Sequence, residues 1–280
     1  MALLEVERLT KGFGGVLAVS DVSFSLEAGA LLGIMGPNGS GKTTLFNVIA
    51  GALRPDTGRI RLRGRDIGGW APHRICGHGV ARTFQLVRPF AGLSALDNVL
   101  VGCLYGRRRS PATAEADAQR LLDLVGLEGR GAVPASALTL MDRKRLELAR
   151  ALATGPELLL LDEFMAGLNP AETAAAMALV RRLVAEGLTV LMVEHIVWAL
   201  MDLAQRIIVL SAGEKIADGP PAAVAADPRV VDVYLGTERP GLGTERPGVG
   251  AERPGVGAER PGVGAERPGV GAERPGAPHA

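Results

Sequence analysis

The stretch "ALLGIMGPNGSGKTTLFNVIA", Ala30 to Ala50, limits the fold more than any other part of the chain. Its first seven residues form a short apolar run, as in a strand buried on both faces of a parallel sheet. A turn with glycines at 36, 39 and 41 follows, and then a helical pattern from Lys42 to Ala50. Strand, tight glycine turn and helix in that order gather backbone N–H groups and a helix N-terminus around one point. Such a point attracts an anion.

The rest of the chain agrees with that start. "LLEVERL", "DVSFSLEAG" and "RIRLRG" alternate apolar and polar residues, as half-buried antiparallel strands do. "LLLLD" and "LTVLMVE" are further unbroken apolar runs, expected as buried parallel strands. Helical patterns cover Pro170–Glu186 and Ile196–Leu203, and Asn169-Pro170 supplies an N-cap followed by proline at the first helical position. From about Leu86 to Ala153 no good strand pattern occurs. Ser94-x-x-Asp97 and Thr139-x-x-Asp142 there read as capping boxes that open helices. The expected fold is α/β, with a parallel central sheet, an antiparallel β flank and an inserted α-helical subdomain at about 86–153.

From Thr237 the chain repeats TERPGLG, TERPGVG and then AERPGVG with a period of seven. Proline and two glycines per unit oppose helix, and one small apolar residue cannot build a core. Residues 237–280 are therefore expected to be a disordered tail, a passive extension or a docking segment, after a folded domain over 1–236.

Charge narrows the function. Lys+Arg is 31 and Asp+Glu 30, so bulk charge does not point to nucleic acid or to an acidic membrane surface. Two cysteines form no framework and no metal spacing, which fits a reducing compartment. The early glutamates in "MALLEVERLTK" do not suit a signal peptide. No apolar run approaches the roughly 18–20 residues that span a bilayer. At a membrane this chain would need partners that supply the spanning helices.

"GPNGSGKT" matches G-x-x-x-x-G-K-[ST] in the required strand-to-helix context. Gly36, Pro37, Asn38, Gly39, Ser40, Gly41, Lys42, Thr43 and the following Thr44 are expected to line a phosphate cradle. Lys42 would reach the β and γ phosphates, and the Thr43 hydroxyl would ligate Mg²⁺. A glycine-rich turn with a chance lysine is the rival reading. "LLLLDEF" ends a buried strand with Asp162, a second Mg²⁺ ligand, and Glu163, placed to polarise an attacking water. His195 closes "LTVLMVEH" and is read either as a γ-phosphate contact or as a core or capping residue. Gln85 alone is a polar residue at a boundary.

Together "GPNGSGKTT", "RTFQ", "RKRLELARAL", "LLLLDE", "AGLNPAE" and "VEH" resemble the motifs of ABC transporter ATP-binding subunits, over Leu4 to Gly236. The resemblance implies a P-loop NTPase (RecA-like) core, with ATP and Mg²⁺ as ligands. It implies that Phe13 stacks on adenine, where a core aromatic is the rival reading. Gln85 would sense Mg²⁺ and the attacking water, His195 would touch the γ-phosphate, and Gly167-Leu168-Asn169 would lie at a dimer interface. It further implies a second ATPase subunit, with a heterodimer favoured and a homodimer open, and two transmembrane permease subunits. A solute-binding protein outside the membrane would be an indirect partner. The chain would sit peripherally on the cytoplasmic face of the plasma membrane. "GVARTFQLVRPFAGLSALDNVLVG" and "AADPRVVDVYLG" look like the branched-chain amino acid importer group. Importers of urea or amides, a lipid exporter and a weakly hydrolysing regulator stay open. A ribosome- or DNA-directed ATPase of this type usually carries two nucleotide domains or a long coiled coil, and this chain shows neither.

One motif departs from the pattern. The signature, normally Leu-Ser-Gly-Gly-Gln or Leu-Ser-Tyr-Gly-Gln, reads Leu138-Thr139-Leu140-Met141-Asp142. Leu138 and the Thr139 hydroxyl are kept as expected ligand contacts. Met141 replaces a glycine and Asp142 brings a charge. Losing one charge-assisted contact there would cost about 1.5–3 kcal/mol, and an acid beside triphosphate would add repulsion unless Asp142 bonds back to the backbone at Thr139. Expected from this is a weaker second ATP site, opposite an intact one built on this chain's own P-loop.

Overall fold

The computed structural model describes residues 2–83, 88–106 and 111–235. The chain divides into two units, Met1–Pro240 and Gly241–Ala280, and every described residue lies in the first. The seven-residue repeats and Gln85 lie outside the described residues.

Two long strands open the chain, β1 (Ala2–Phe13) and β2 (Val16–Glu27), paired antiparallel. Next comes β3 (Leu31–Met35), wholly buried, and helix α1 (Lys42–Ile49), one residue shorter than its pattern. Strands β4 (Thr57–Leu62) and β5 (Arg65–Asp66) complete a four-stranded antiparallel sheet in the order β2-β1-β4-β5. Short helix α2 (Pro72–Gly77) leads to β6 (Val80–Arg82).

Helices α3 (Ala95–Tyr105), α4 (Pro111–Leu124) and α5 (Leu140–Ala153) fill the middle of the chain, and no strand occurs among the described residues there. On α4, Ala114, Ala118 and Leu122 are all fully buried, one helical turn apart. Both expected caps form. Ser94 Oγ accepts from the Asp97 amide at 3.1 Å and Thr139 Oγ1 accepts from the Asp142 amide at 3.1 Å.

The chain then alternates: β7 (Leu158–Asp162), α6 (Pro170–Ala185), β8 (Thr189–Val193), α7 (Val197–Leu203), β9 (Arg206–Ser211) and β10 (Glu214–Gly219), before α8 (Pro221–Ala225) and α9 (Pro228–Leu235). Asn169 and Glu172 close a full capping box at the start of α6. The second sheet has the order β10-β9-β3-β8-β7-β6, parallel except for the β10 edge.

Alternation along these strands explains their unbroken apolar sequences. Leu159 and Leu161 of β7, Met192 of β8 and Val209 of β9 join a core shared with the helical region. Leu160, Leu191, Val193 and Ile208 point the other way, into a core with α1 and the antiparallel sheet. A strand covered on both faces has no use for polar alternation. Each such leucine buried contributes about 2 kcal/mol. The carboxyl ends of β3, β7 and β8 thereby carry the P-loop, Asp162-Glu163 and Glu194-His195 along one edge, where open α/β sheets hold ligands.

Candidate functional site

The loop after β3 is shaped by its glycines. Gly36 has φ 152° and faces the Leu210 carbonyl so closely that a Cβ would lie well inside van der Waals contact with it. The backbone itself must pass there, so only glycine fits. Gly39, with φ 77°, has open space around its would-be Cβ, as expected of a residue facing a ligand cradle. Lys42 is buried and donates from Nζ to the carbonyl oxygens of Gly36 and Pro37, both at 2.8 Å, with Ser40 Oγ at 3.5 Å. Burial lowers its pKa, and the charges of Glu163 and Asp162 work against that. Asn38 and Thr43 are exposed, and Thr44 is half-buried.

Asp162 is buried at the end of β7. Its Oδ2 accepts from Arg82 Nη2 at 2.7 Å, and Arg82 Nη1 donates to Asn47 Oδ1 at 2.6 Å. Among the described residues, Asp162 Oδ1 is buried with no hydrogen-bond partner. An orphaned carboxylate oxygen costs about 1–3 kcal/mol, and a hard cation would relieve it. Thr43 and Asp162 line the same cleft of about 660 Å³. The hydroxyl, the free carboxylate oxygen and the amide cradle fit Mg²⁺ with a nucleotide.

Glu163 adopts φ 50°, a left-handed conformation that costs a non-glycine residue of order 1–3 kcal/mol. Its amide donates to the Val193 carbonyl at 2.9 Å, which ties the turn to β8. Its Oε1 lies 2.7 Å from His195 Nε2, where an ionised carboxylate accepts from a ring nitrogen that carries the proton. The histidine is exposed, which excludes its reading as a core residue. Between them, buried Glu194 accepts the Met165 amide at 2.8 Å.

Phe13 is half-exposed at the end of β1, with Lys11 Nζ 5.4 Å from its ring centre. It is not a core aromatic. In the signature stretch, Asp142 takes the bonded-back alternative, through the Thr139 hydroxyl. Asp142 does not face outward: it is buried, with Oδ2 accepting from Arg130 Nη1 at 2.5 Å and from the Thr139 hydroxyl at 2.8 Å. Its charge is answered within the chain. Met141 is also buried in the core shared with the helices, and so is the Leu138 side chain, which anchors the loop. What the loop turns outward is Thr139 and Leu140, the latter 48% exposed.

Sequence reasoning passed over Arg82, Lys144 and Glu194 as site residues. Two of them carried a signal. Arg82 ends an otherwise apolar strand. Lys144 stands three residues after Met141 and four before Leu148, on the buried stripe of α5.

Comparison with known proteins agrees with this geometry. A family profile described as "ABC transporter" matches residues 19–166, and one described as "Branched-chain amino acid ATP-binding cassette transporter" matches residues 214–240. The chain is 39% identical to the high-affinity branched-chain amino acid transport ATP-binding protein BraF of Pseudomonas aeruginosa, covering 84% of this chain and 98% of that one. It is 37% identical to LivG of Escherichia coli, a protein of the same description, over the same shares. Among solved structures it resembles the ADP conformation of an ATP-binding cassette of an ABC transporter. The TM-score is 0.77 at 32% identity, covering 84% of this chain and 99% of that one.

Proposed function

The chain belongs to the ATP-binding cassettes of ABC transporters, ATPases that couple hydrolysis to transport, and from that premise we propose that it powers an importer of branched-chain or other hydrophobic amino acids. The observation that carries the substrate class is the C-terminal segment 214–240, which matches the branched-chain profile. Likeness to BraF and LivG over nearly their whole length supports it.

The residues divide the work. The loop Gly36 to Thr44 wraps the phosphates with its amides, and Lys42 leaves its resting carbonyls for the β and γ phosphates. Thr43 and Asp162 would hold Mg²⁺ together with Gln85, which lies outside the described residues; when bound, the ion would neutralise charge on the phosphates. Glu163 accepts a proton from water as the water oxygen bonds to the γ-phosphorus. The bond from that phosphorus to the β–γ bridging oxygen breaks, giving ADP and phosphate. His195 holds the Glu163 carboxylate and reaches toward the γ-phosphate. Phe13 packs on the adenine.

Two such cassettes close head to tail, so Thr139 and Leu140 of this chain face the partner's nucleotide. A heterodimer with a second ATPase subunit is favoured, since LTLMD departs from the usual signature. With Met141 and Asp142 turned inward, any asymmetry between the two sites must come from Leu140 and the loop backbone. Among the described residues no helix is long and apolar enough to cross a membrane. Two permease subunits supply the pore, and the chain sits peripherally on its cytoplasmic side. A solute-binding protein delivers the cargo. Residues 1–236 form the working domain, with its helical subdomain at about 86–153, and the repeats at 237–280 take no part in hydrolysis.

The test is reconstitution in proteoliposomes with the permeases, the second ATPase and the solute-binding protein. Leucine, isoleucine or valine should stimulate ATP hydrolysis and accumulate inside. Stimulation by urea or amides with none by these amino acids would overturn the substrate class.

A further inference from the structure

Glu163 holds a strained backbone, and the turn that follows is clamped from two sides. Lys144, buried on α5, donates from Nζ to the carbonyl of Phe164 at 2.9 Å and to that of Glu163 at 3.3 Å. From the opposite side Glu194 accepts the Met165 amide at 2.8 Å, and Val193 accepts the Glu163 amide at 2.9 Å. Four hydrogen bonds from two elements thus fix residues 163–165. Two of them, to Val193 and Glu194, hold the amides of Glu163 and Met165. The carbonyls of Glu163 and Phe164 are held from α5 by the Lys144 ammonium, and that of Glu163 also accepts the Ala166 amide at 3.2 Å.

That ammonium is costly to keep. Burial lowers the Lys144 pKa, and the charges of Glu194, Glu147 and Glu163 favour its charged form. A buried lysine needs compensation of this kind. Its position gives it meaning. Lys144 lies one helical turn beyond Leu140, the outward-facing residue of the signature loop, on the same rigid helix.

We propose that Lys144 is a positioning residue for hydrolysis: it holds the turn that aims Glu163, and so ties that carboxylate to the seating of the signature helix. The helix faces the partner's nucleotide while Glu163 faces this chain's own. One side chain then links the two ATP sites of a closed dimer. A shift of α5 as the loop engages the partner's nucleotide moves Nζ relative to the Glu163 and Phe164 carbonyls. The strained turn responds as a unit because its amides stay tied to Val193 and Glu194. This rests on the reading of Glu163 as the proton acceptor.

The experiment compares the full chain with Lys144→Met, Lys144→Arg and Glu163→Gln in steady-state MgATP hydrolysis, with hydrogen exchange of the segment 163–166 read in parallel. Lys144→Met should lower kcat at least about tenfold with KM within about twofold, the pattern of a group that acts only in the transition state. It should speed exchange at 163–166 about tenfold while the amides of β7 stay protected. Lys144→Arg, which keeps charge and donors, should recover most of both. Unchanged kcat and unchanged exchange in Lys144→Met, with Glu163→Gln inactive, would overturn the role of Lys144 alone. Equal loss in both Lys144 variants together with a lowered melting temperature would reduce it to general packing. Wild-type turnover in Glu163→Gln would instead remove the reading of Glu163 on which it rests.

Discussion

His195 Nε2 lies 2.7 Å from Glu163 Oε1, and the two residues end neighbouring parallel strands β8 and β7. The pairing orients the carboxylate without burying it further. Replacing the ring with alanine leaves the strained Glu163 turn intact but removes this contact from its carboxylate. His195→Ala should lower kcat about 10- to 100-fold with little change in nucleotide affinity, as for a group positioning a general base. Steady-state hydrolysis beside equilibrium MgATP binding checks it.

The P-loop glycines should separate by mechanism. A Cβ at Gly36 would press into the Leu210 carbonyl, whereas one at Gly39 meets nothing nearby. Gly36→Ala is expected to cost more than about 3 kcal/mol and Gly39→Ala about 1 kcal/mol, the latter from positive φ alone. Urea unfolding midpoints of the two variants measure the difference.

Arg130 and Asp142 set the signature loop. Removing the arginine leaves a buried carboxylate with Thr139 and, at 3.9 Å, Arg145. Since Arg130 is half-exposed, Arg130→Ala should destabilise the chain by only about 1–3 kcal/mol, and adding Asp142→Ala should recover part of that. Thermal unfolding of the double-mutant cycle reads it. Asp142→Gln should change turnover less than twofold, roughly, because its charge does not face the nucleotide.

Glu194 makes stability depend on pH. Burial pushes its carboxyl up from 4.5 to about 7, against the Met165 amide, the Lys144 charge and the His195 amide, with the Glu163 charge adding to the rise. Between these values the folded chain holds a proton that the unfolded chain has lost. The folded state binds more protons, so this group's contribution to stability falls as pH rises from about 4.5 to about 7. Glu194→Gln removes the dependence. Relative to wild type, the variant should gain on the order of 2 kcal/mol between about pH 5 and pH 8, read by urea unfolding at both.

Much of the site was legible because its signals are local. The P-loop spans a few residues, "LLLLDE" is a strand with its two acids attached, and the caps at Ser94, Thr139 and Asn169 need only a three-residue spacing. What stayed hidden depends on distant pairing. Arg82 and Asp162 are 80 residues apart in sequence, and Lys144 and Phe164 are 20 apart. Asp142 shows the limit well. Its type and position suggested repulsion at a phosphate, but the direction it faces depends on Arg130, 12 residues upstream. No periodicity in either segment specifies that contact.

The central claim is that this chain hydrolyses ATP with Glu163 as proton acceptor at its own P-loop. Turnover of saturating MgATP by the purified full chain and by Glu163→Gln, with MgATP affinity measured on both, tests it most directly. The account predicts a fall of at least about 100-fold in turnover, with affinity kept within about threefold. Turnover by Glu163→Gln within about twofold of wild type would contradict it.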